Sequence, residues 1–341
     1  MQKNPHAIRK GAHHKTTLSI IAIILIAITG CAEVLEEVVP TVETSPVLDA
    51  SDAADDSVVI ATSDGDNAII IGTNKRRGLE IYDLKGNRIG QVDAGRLNNI
   101  DATPTATDNV FLLAASNRTT KAIDIFQADI AKTEISFVRS IPLDLADPYG
   151  LCVSPNRIFV SDKEGRVQMW PWAGEQPITE IVLPSQTEGC VVDQNGEYIY
   201  IGEESGGIWK VPIHKQGMGT PEMFATIADN ILAADVEGLD IHYSEKGATL
   251  LASSQGDSSY VAYDLQTANL LAKFSIAANT KKLIDGTSDT DGIAIYSHAL
   301  LDYPEGILVV QDGFNSEPNG KYENQNFKIV DWREVQKLLK N

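Results

Sequence analysis

Residues 188–212 read EGCVVDQNGEYIYIGEESGGIWKVP. Short runs rich in Val, Ile, Tyr and Trp alternate with Asp193-Gln-Asn-Gly196 and Ser205-Gly-Gly207, residues that make tight turns. No 3.6-residue period crosses the stretch, so it predicts consecutive antiparallel strands and not a helix. Its middle run, YIYIGEE (198–204), recurs along the chain as AIIIGTNK (68–75), FLLAASNR (111–118), RIFVSDK (157–163), TLLASSQ (249–255) and ILVVQD (307–312). Most copies lead into an alternating run such as Gly78-Leu-Glu-Ile-Tyr82 or Gly207-Ile-Trp-Lys-Val211. Six copies at intervals of about 40 to 57 residues have the length of propeller blades, so the expected fold is all-β: a six-bladed β-propeller with four-stranded antiparallel blades.

A second repeat lies upstream of each run. It reads Asp55-Asp56-Ser-Val-Val, Asn99-Ile-Asp101, Tyr149-Gly-Leu-Cys-Val, Glu188-Gly-Cys-Val-Val, Glu237-Gly-Leu-Asp-Ile and Asp291-Gly-Ile-Ala-Ile. We take it as the innermost strand of each blade, with the recurring Gly allowing close backbone packing near the central channel. The start of a first strand and the end of an antiparallel second strand share one face of the disc. Two rings of side chains therefore meet there. One is Asp55, Asn99 (or Asp101), Tyr149, Glu188, Glu237 and Asp291; the other is Lys75, Arg118, Lys163, Glu204, Gln255 and Asp312. The second ring divides by sign. Lys75, Arg118 and Lys163 form an arc suited to phosphate. Glu204, Gln255 and Asp312 face it with oxygen ligands suited to a hard divalent cation such as calcium.

The gross charge agrees. The chain of 341 residues has 28 Lys and Arg against 47 Asp and Glu, and four of the basic residues precede residue 30. Without that segment 24 basic residues face 47 acidic ones, a net of −23. Such a field repels nucleic acid and anionic lipid and attracts cations, so no nucleic-acid partner is expected.

The basic start runs into a 14-residue apolar run, Thr16–Thr29, too short for a bilayer span of about 20 residues and suited to a secretory signal. It ends in Ile28-Thr-Gly-Cys31, which resembles a bacterial lipobox; Cys31 is the expected lipid acceptor. Residues 1–30 are thus expected as a cleaved signal, 31–47 as an acidic lipidated tether, and 48–341 as the propeller. The chain is expected to be exported and held at a bacterial membrane by lipid alone. Ala32 is compatible with outer-membrane sorting, periplasmic or surface side. Cys152 and Cys190 are expected as buried strand residues, with one bridge between them the alternative in an oxidising compartment.

Other chemistries lack their motifs. The six histidines make no metal-spaced pair, and no HExxH, CxxC, GxSxG, P-loop or dinucleotide fingerprint occurs.

Several short motifs resemble, in order, those of the β-propeller phytases. They are Asp52-Ala-Ala-Asp-Asp56, Thr73-Asn-Lys75, Leu97-Asn-Asn99, Ala115-Ser-Asn-Arg118, Asp162-Lys-Glu-Gly165, Ser185-Gln-Thr-Glu-Gly189, Asp235-Val-Glu-Gly238, Leu251-Ala-Ser-Ser-Gln-Gly256, Asp285-Gly-Thr-Ser-Asp-Thr-Asp-Gly292 and Asn324-Gln-Asn-Phe327. The resemblance departs at Ser57-Val-Val-Ile60, where the family carries a Pro-Ala-Ile-Trp-like segment. It implies a monomeric calcium-dependent 3-phytase type of phosphomonoesterase that removes phosphate from phytate, or its calcium salt, by attack of a calcium-bound water.

By that resemblance Lys75, Arg118 and Lys163 bind substrate phosphate, and Tyr149 sits at the same mouth. Asp55, Glu188, Glu204, Asp235, Glu237, Gln255 and Asp291 ligate active-site calcium. Asp56, Asn98, Asp285 and Asn324 hold structural calcium. The catalytic set is then Glu188, Glu204, Glu237, Asp291 and Tyr149. Two other readings stay open: a different calcium propeller hydrolase, such as a lactonase or phosphodiesterase, and a non-catalytic calcium-binding propeller lipoprotein.

Overall fold

Each repeated apolar run is the second strand of a four-stranded antiparallel unit, and six such units make up a six-bladed β-propeller. The computed structural model describes residues 35–340; the expected signal segment and Cys31 lie outside them. The innermost strands are Ala54–Ala61, Leu97–Pro104, Pro148–Ser154, Thr187–Val192, Val236–Ser244 and Ile293–Tyr296, and each touches the next around the ring. Second strands are apolar on both faces because each face meets a different blade. Ile69 and Ile71 pack toward blade 2, whereas Ala68 and Ile70 pack toward blade 6. Six apolar clusters, one per pair of neighbouring blades, form the core. That two-sided burial is why the runs read as unbroken hydrophobic stretches.

Blade 6 takes only three of its strands from the C-terminal part of the chain. Its outermost strand is Val42–Glu43, paired antiparallel with Ile329 and Lys328. Thr41, Thr44 and Val47 donate backbone hydrogen bonds to Ile329, Phe327 and Gln325. Glu36–Val38 adds a parallel strand to blade 5. Residues 36–47, expected as part of the lipidated tether, are thereby part of the propeller. Val38 and Val47 are buried, and the segment covers what would be an open edge of the sheet. The expectation of separate thiols is also corrected: Cys152 and Cys190 lie on neighbouring inner strands, their Cα atoms 5.6 Å apart, and form a disulfide.

One local device decides what faces the mouth. In blades 1 to 5 the ladder between first and second strand skips at the same place, so two inner residues oppose one outer residue. The pairs are Asp55-Asp56, Asn98-Asn99, Tyr149-Gly150, Glu188-Gly189 and Glu237-Gly238. Such a bulge turns the first residue of each pair out of the ladder and re-aims its side chain. In blades 1, 3, 4 and 5 the second residue packs against the next blade. A Cβ on Gly150 would lie 1.9 Å from the Glu188 carbonyl oxygen, and one on Gly189 2.1 Å from that of Glu237, so only glycine fits. Opposite the bulges, Ser161 and Ser253 donate to the backbone carbonyls of Thr187 and Thr290 on the following blade.

Candidate active site

The bulges bring Asp55, Asn98, Tyr149, Glu188 and Glu237 to one end of the channel, and Asp291 joins them just before the inner strand of blade 6. The bulge register corrects the expected ring at one position. Asn98, not Asn99 or Asp101, occupies the mouth in blade 2, and its Nδ2 donates to Glu188 Oε1 at 2.7 Å. Asn99 turns away and donates to Asp56 Oδ2 at 3.3 Å. Asp101 lies further down the channel, accepting from the Val153 amide at 2.7 Å.

At the ends of the second strands come Lys75, Arg118, Lys163, Glu204 and Gln255. Asp312 does not join them. It is fully buried, with Oδ2 3.0 Å from the Lys328 ammonium. Blade 6 is out of step by one residue, and Gly313 holds the mouth position there. The position before each mouth residue is a buried cap: Asn74, Asn117, Asp162, Glu203, Ser254 and Asp312. Asn117 Oδ1, for example, accepts from the Thr119 amide at 2.8 Å.

The acidic side centres on Glu188, Glu204 and Glu237, each with a carboxylate oxygen within 4.8 Å of the others'. Burial, and next the Glu188 charge, push the Glu204 carboxyl up to about 7. Burial followed by Glu188 also holds Glu237 well above the usual carboxylate range, and burial raises Glu188 itself. Three acids packed this closely cannot all ionise without a cation. Glu237 Oε2 and Asp55 Oδ2 are buried with no hydrogen bond among the described residues, while Asp55 Oδ1 meets the Lys75 ammonium. The donor set is all oxygen, which suits a hard divalent cation. Asp235 adds charge beside Glu204, and Gln255 Nε2 donates to Asp291 Oδ1 at 2.7 Å.

The cationic side is paired internally. Lys75 Nζ lies 2.6 Å from Asp52, 3.0 Å from Asp55 and 2.8 Å from Asp291. Burial pulls its pKa down, but Asp55 and Asp291 outweigh burial and hold it charged. Arg118 makes a bidentate pair with Asp147, at 3.0 and 2.7 Å, and reaches Asn98 Oδ1 at 3.3 Å. Lys163 Nζ sits 4.1 Å from the centre of the Tyr149 ring and the Arg118 guanidinium 5.3 Å from it. In the sequence Asp52 stood only as part of the Asp52–Asp56 motif, with no role assigned, and Asp147 was not singled out. Each precedes a mouth residue by two or three positions in the loop entering the blade, and that proximity was the available signal.

Asp285 and Asn324, expected to hold structural calcium, lie elsewhere. Asp285 Oδ1 is 2.5 Å from Lys328 and its Oδ2 accepts from the Ser316 amide at 2.7 Å. Asn324 Nδ2 donates to the Val47 carbonyl. At Asp285 a lysine ammonium stands where a cation was expected. Asp56 is buried and accepts from the Ile100 amide at 3.1 Å.

The family model for phytase matches residues 11–341. The chain is also 34% identical over 323 residues to a 3-phytase from Bacillus subtilis (strain 168), covering 87% of this chain and 84% of that protein. With a family match over nearly its whole length and a curated 3-phytase 34% identical to it, the chain belongs to the phytase family.

Proposed function

We propose that the protein hydrolyses phosphomonoesters of phytate with calcium, the two halves of the mouth holding opposite charges of one substrate complex. The observation that carries this reading is the Glu188–Glu204–Glu237 cluster facing Lys75, Arg118 and Lys163 across one opening. Calcium, when bound, supplies the charge that neutralises carboxylates and phosphate together and activates water for attack on phosphorus. Glu188, Glu204, Glu237, Asp55, Asp235, Asp291 and Gln255 are the residues that hold it.

On the other side Arg118 offers a planar fork to phosphate oxygens, and Lys75 and Lys163 offer point charges. Tyr149, clasped between Arg118 and Lys163, keeps both cations oriented. Substrate phosphate competes with Asp147 for Arg118 and with Asp52 for Lys75, so the cations are held in position before it arrives. Charge building on the phosphoryl oxygens in the transition state meets fixed cations from both sides. No side-chain nucleophile is required.

We further propose that the chain acts outside the cytoplasm, anchored by Cys31. The Thr16–Thr29 run supports export, and the Cys152–Cys190 bond suits an oxidising compartment.

The test is phosphate release from phytate with calcium and with excess chelator, beside Glu188→Ala. Calcium-dependent release that vanishes in the variant supports the reading; a cooperatively melting protein that releases none at any calcium concentration sinks it. pH gives a second check. A protonated carboxyl cannot hold calcium, and Glu204 stands at about 7. The calcium concentration for half-maximal rate is therefore expected to rise as pH falls through about 7. A half-saturation constant that stays flat across that range would contradict it.

A further inference from the structure

We propose that the Cys152–Cys190 disulfide is a positioning element of the reaction: it holds the bulges of blades 3 and 4 at the spacing the mouth requires, so that calcium binding depends on the redox state of the chain. The inference rests on the reading of Glu188 as a calcium ligand.

Cys152 lies three residues past Tyr149, and Cys190 two past Glu188. Cys190 is in the first ladder pair below its bulge, opposite Ile201, and Cys152 in the second below its own, opposite Phe159. The bulged residues themselves lack regular ladder bonds to their second strands, so their placement depends on what clasps one blade to the next. At the position equivalent to Cys152, blade 2 has Asp101 and blade 5 has Asp240. Each accepts a backbone amide from the following blade, Val153 at 2.7 Å and Ile295 at 2.5 Å. Between blades 3 and 4 the same position carries the disulfide instead.

That seam is one of two where the phosphate half of the mouth meets the calcium half. At the other, between blades 6 and 1, Lys75 spans the gap in an ion pair with Asp291 at 2.8 Å. At the 3–4 seam no such pair forms among the described residues. There Tyr149 and Lys163 face Glu188 and Glu204, and Glu188 and Glu204 converge with Glu237 on one cluster. A covalent tie directly beneath both bulges fixes the spacing between the two halves at this seam. Residues that orient metal ligands in this way commonly set affinity without touching the ion.

The bond is also reachable. Cys152 is 1% exposed, but Cys190 is partly exposed and lines the central channel, a cavity of about 220 Å³. A small dithiol attacks the Cys190 sulfur and releases the Cys152 thiolate, which takes a proton. The second thiol of the reagent then displaces Cys190 and closes the reagent into its own cyclic disulfide. Two electrons and two protons pass to the chain.

The experiment titrates calcium by calorimetry into the full-length protein in three forms: oxidised, dithiothreitol-reduced, and Cys152→Ala/Cys190→Ala. Phytate hydrolysis is followed over the same calcium range. Calcium affinity is expected to fall about tenfold on reduction and to return on reoxidation. The double variant should match the reduced protein and ignore the reductant. Activity should fall at limiting calcium and recover at saturating calcium. Equal affinity in oxidised and reduced protein, both melting cooperatively, overturns the inference alone. Loss of the cooperative melt on reduction also overturns it, because the bond would then hold the fold and not the site. A protein that binds no calcium in either state overturns it together with the calcium reading.

Discussion

Glu237→Gln is expected to slow phytate turnover by about 10²- to 10³-fold while raising the melting temperature of the calcium-free protein. The two effects have one cause. Glu237 is 5% exposed, its Oε2 has no partner among the described residues, and burial plus the Glu188 charge hold its pKa well above the ordinary value. Between that ordinary value and the raised one, the folded chain binds more protons than the unfolded chain. Stability is therefore fully present below the unfolded pKa and is lost as pH rises through the folded one. Gln keeps the shape and removes the ionisable group, so the penalty disappears. In chelator the variant should melt above the wild type at about pH 8, with the gap closing near pH 4, below both pKa values. Calcium reverses the order, since it stabilises whichever protein binds it in the folded state. Melting curves in chelator and in calcium, beside turnover at saturating calcium, make the comparison. Wild-type turnover in the variant, or a lower melting point than wild type in chelator, would remove Glu237 from the role assigned to it.

Most of the mouth was legible because it follows from two repeats. Lys75, Arg118, Lys163, Glu204 and Gln255 each come one residue after the buried cap that ends a second strand, and the apolar runs mark that end plainly. The run in blade 6 looks the same but stops at the cap, so counting from its last residue put Asp312 at the mouth and hid Gly313. The bulge was harder to see. One extra residue leaves no trace in strand periodicity, and its only sign is the glycine after the mouth residue. Gly150, Gly189 and Gly238 show it, whereas Asp56 and Asn99 occupy that position in blades 1 and 2. There Asn98 and Asn99 could not be told apart without the register. Residues 36–47 have the acidic, Pro-containing composition of a linker, and their strand partners lie more than two hundred positions away. The disulfide was hidden for a similar reason: its two cysteines are 38 residues apart and meet only because consecutive inner strands are neighbours.

Lys328→Met is expected to destabilise the fold by about 3–5 kcal/mol, lowering the melting temperature by about 10 °C. The ammonium is fully buried among Glu43, Asp285 and Asp312, at 3.1, 2.5 and 3.0 Å. Asn315 and Asn326 add side-chain oxygens at 3.3 and 3.2 Å. Burial alone would pull this lysine's pKa down; Asp312 and its neighbours outweigh burial and hold it up. Burial also pushes the Asp312 carboxyl up, against the pull of Lys328. We take the ammonium as charged, because three acids face one base. Methionine would leave those acids with no counter-charge, and losing one partner of a buried pair costs more than the pair itself contributes. The damage falls on ring closure, since Glu43 belongs to the N-terminal strand that completes blade 6 and Lys328 pairs with it in register. The vacated cage would offer three carboxylates and two amide oxygens, a set suited to calcium. Calcium should then restore more stability to the variant than it adds to the wild type, and hydrogen exchange at Thr41, Thr44 and Val47 should slow with it. A variant that melts like the wild type in chelator would show that closure does not depend on this internal cation. One that loses stability but gains nothing extra from calcium would show that the cage is shaped for an ammonium and for nothing else.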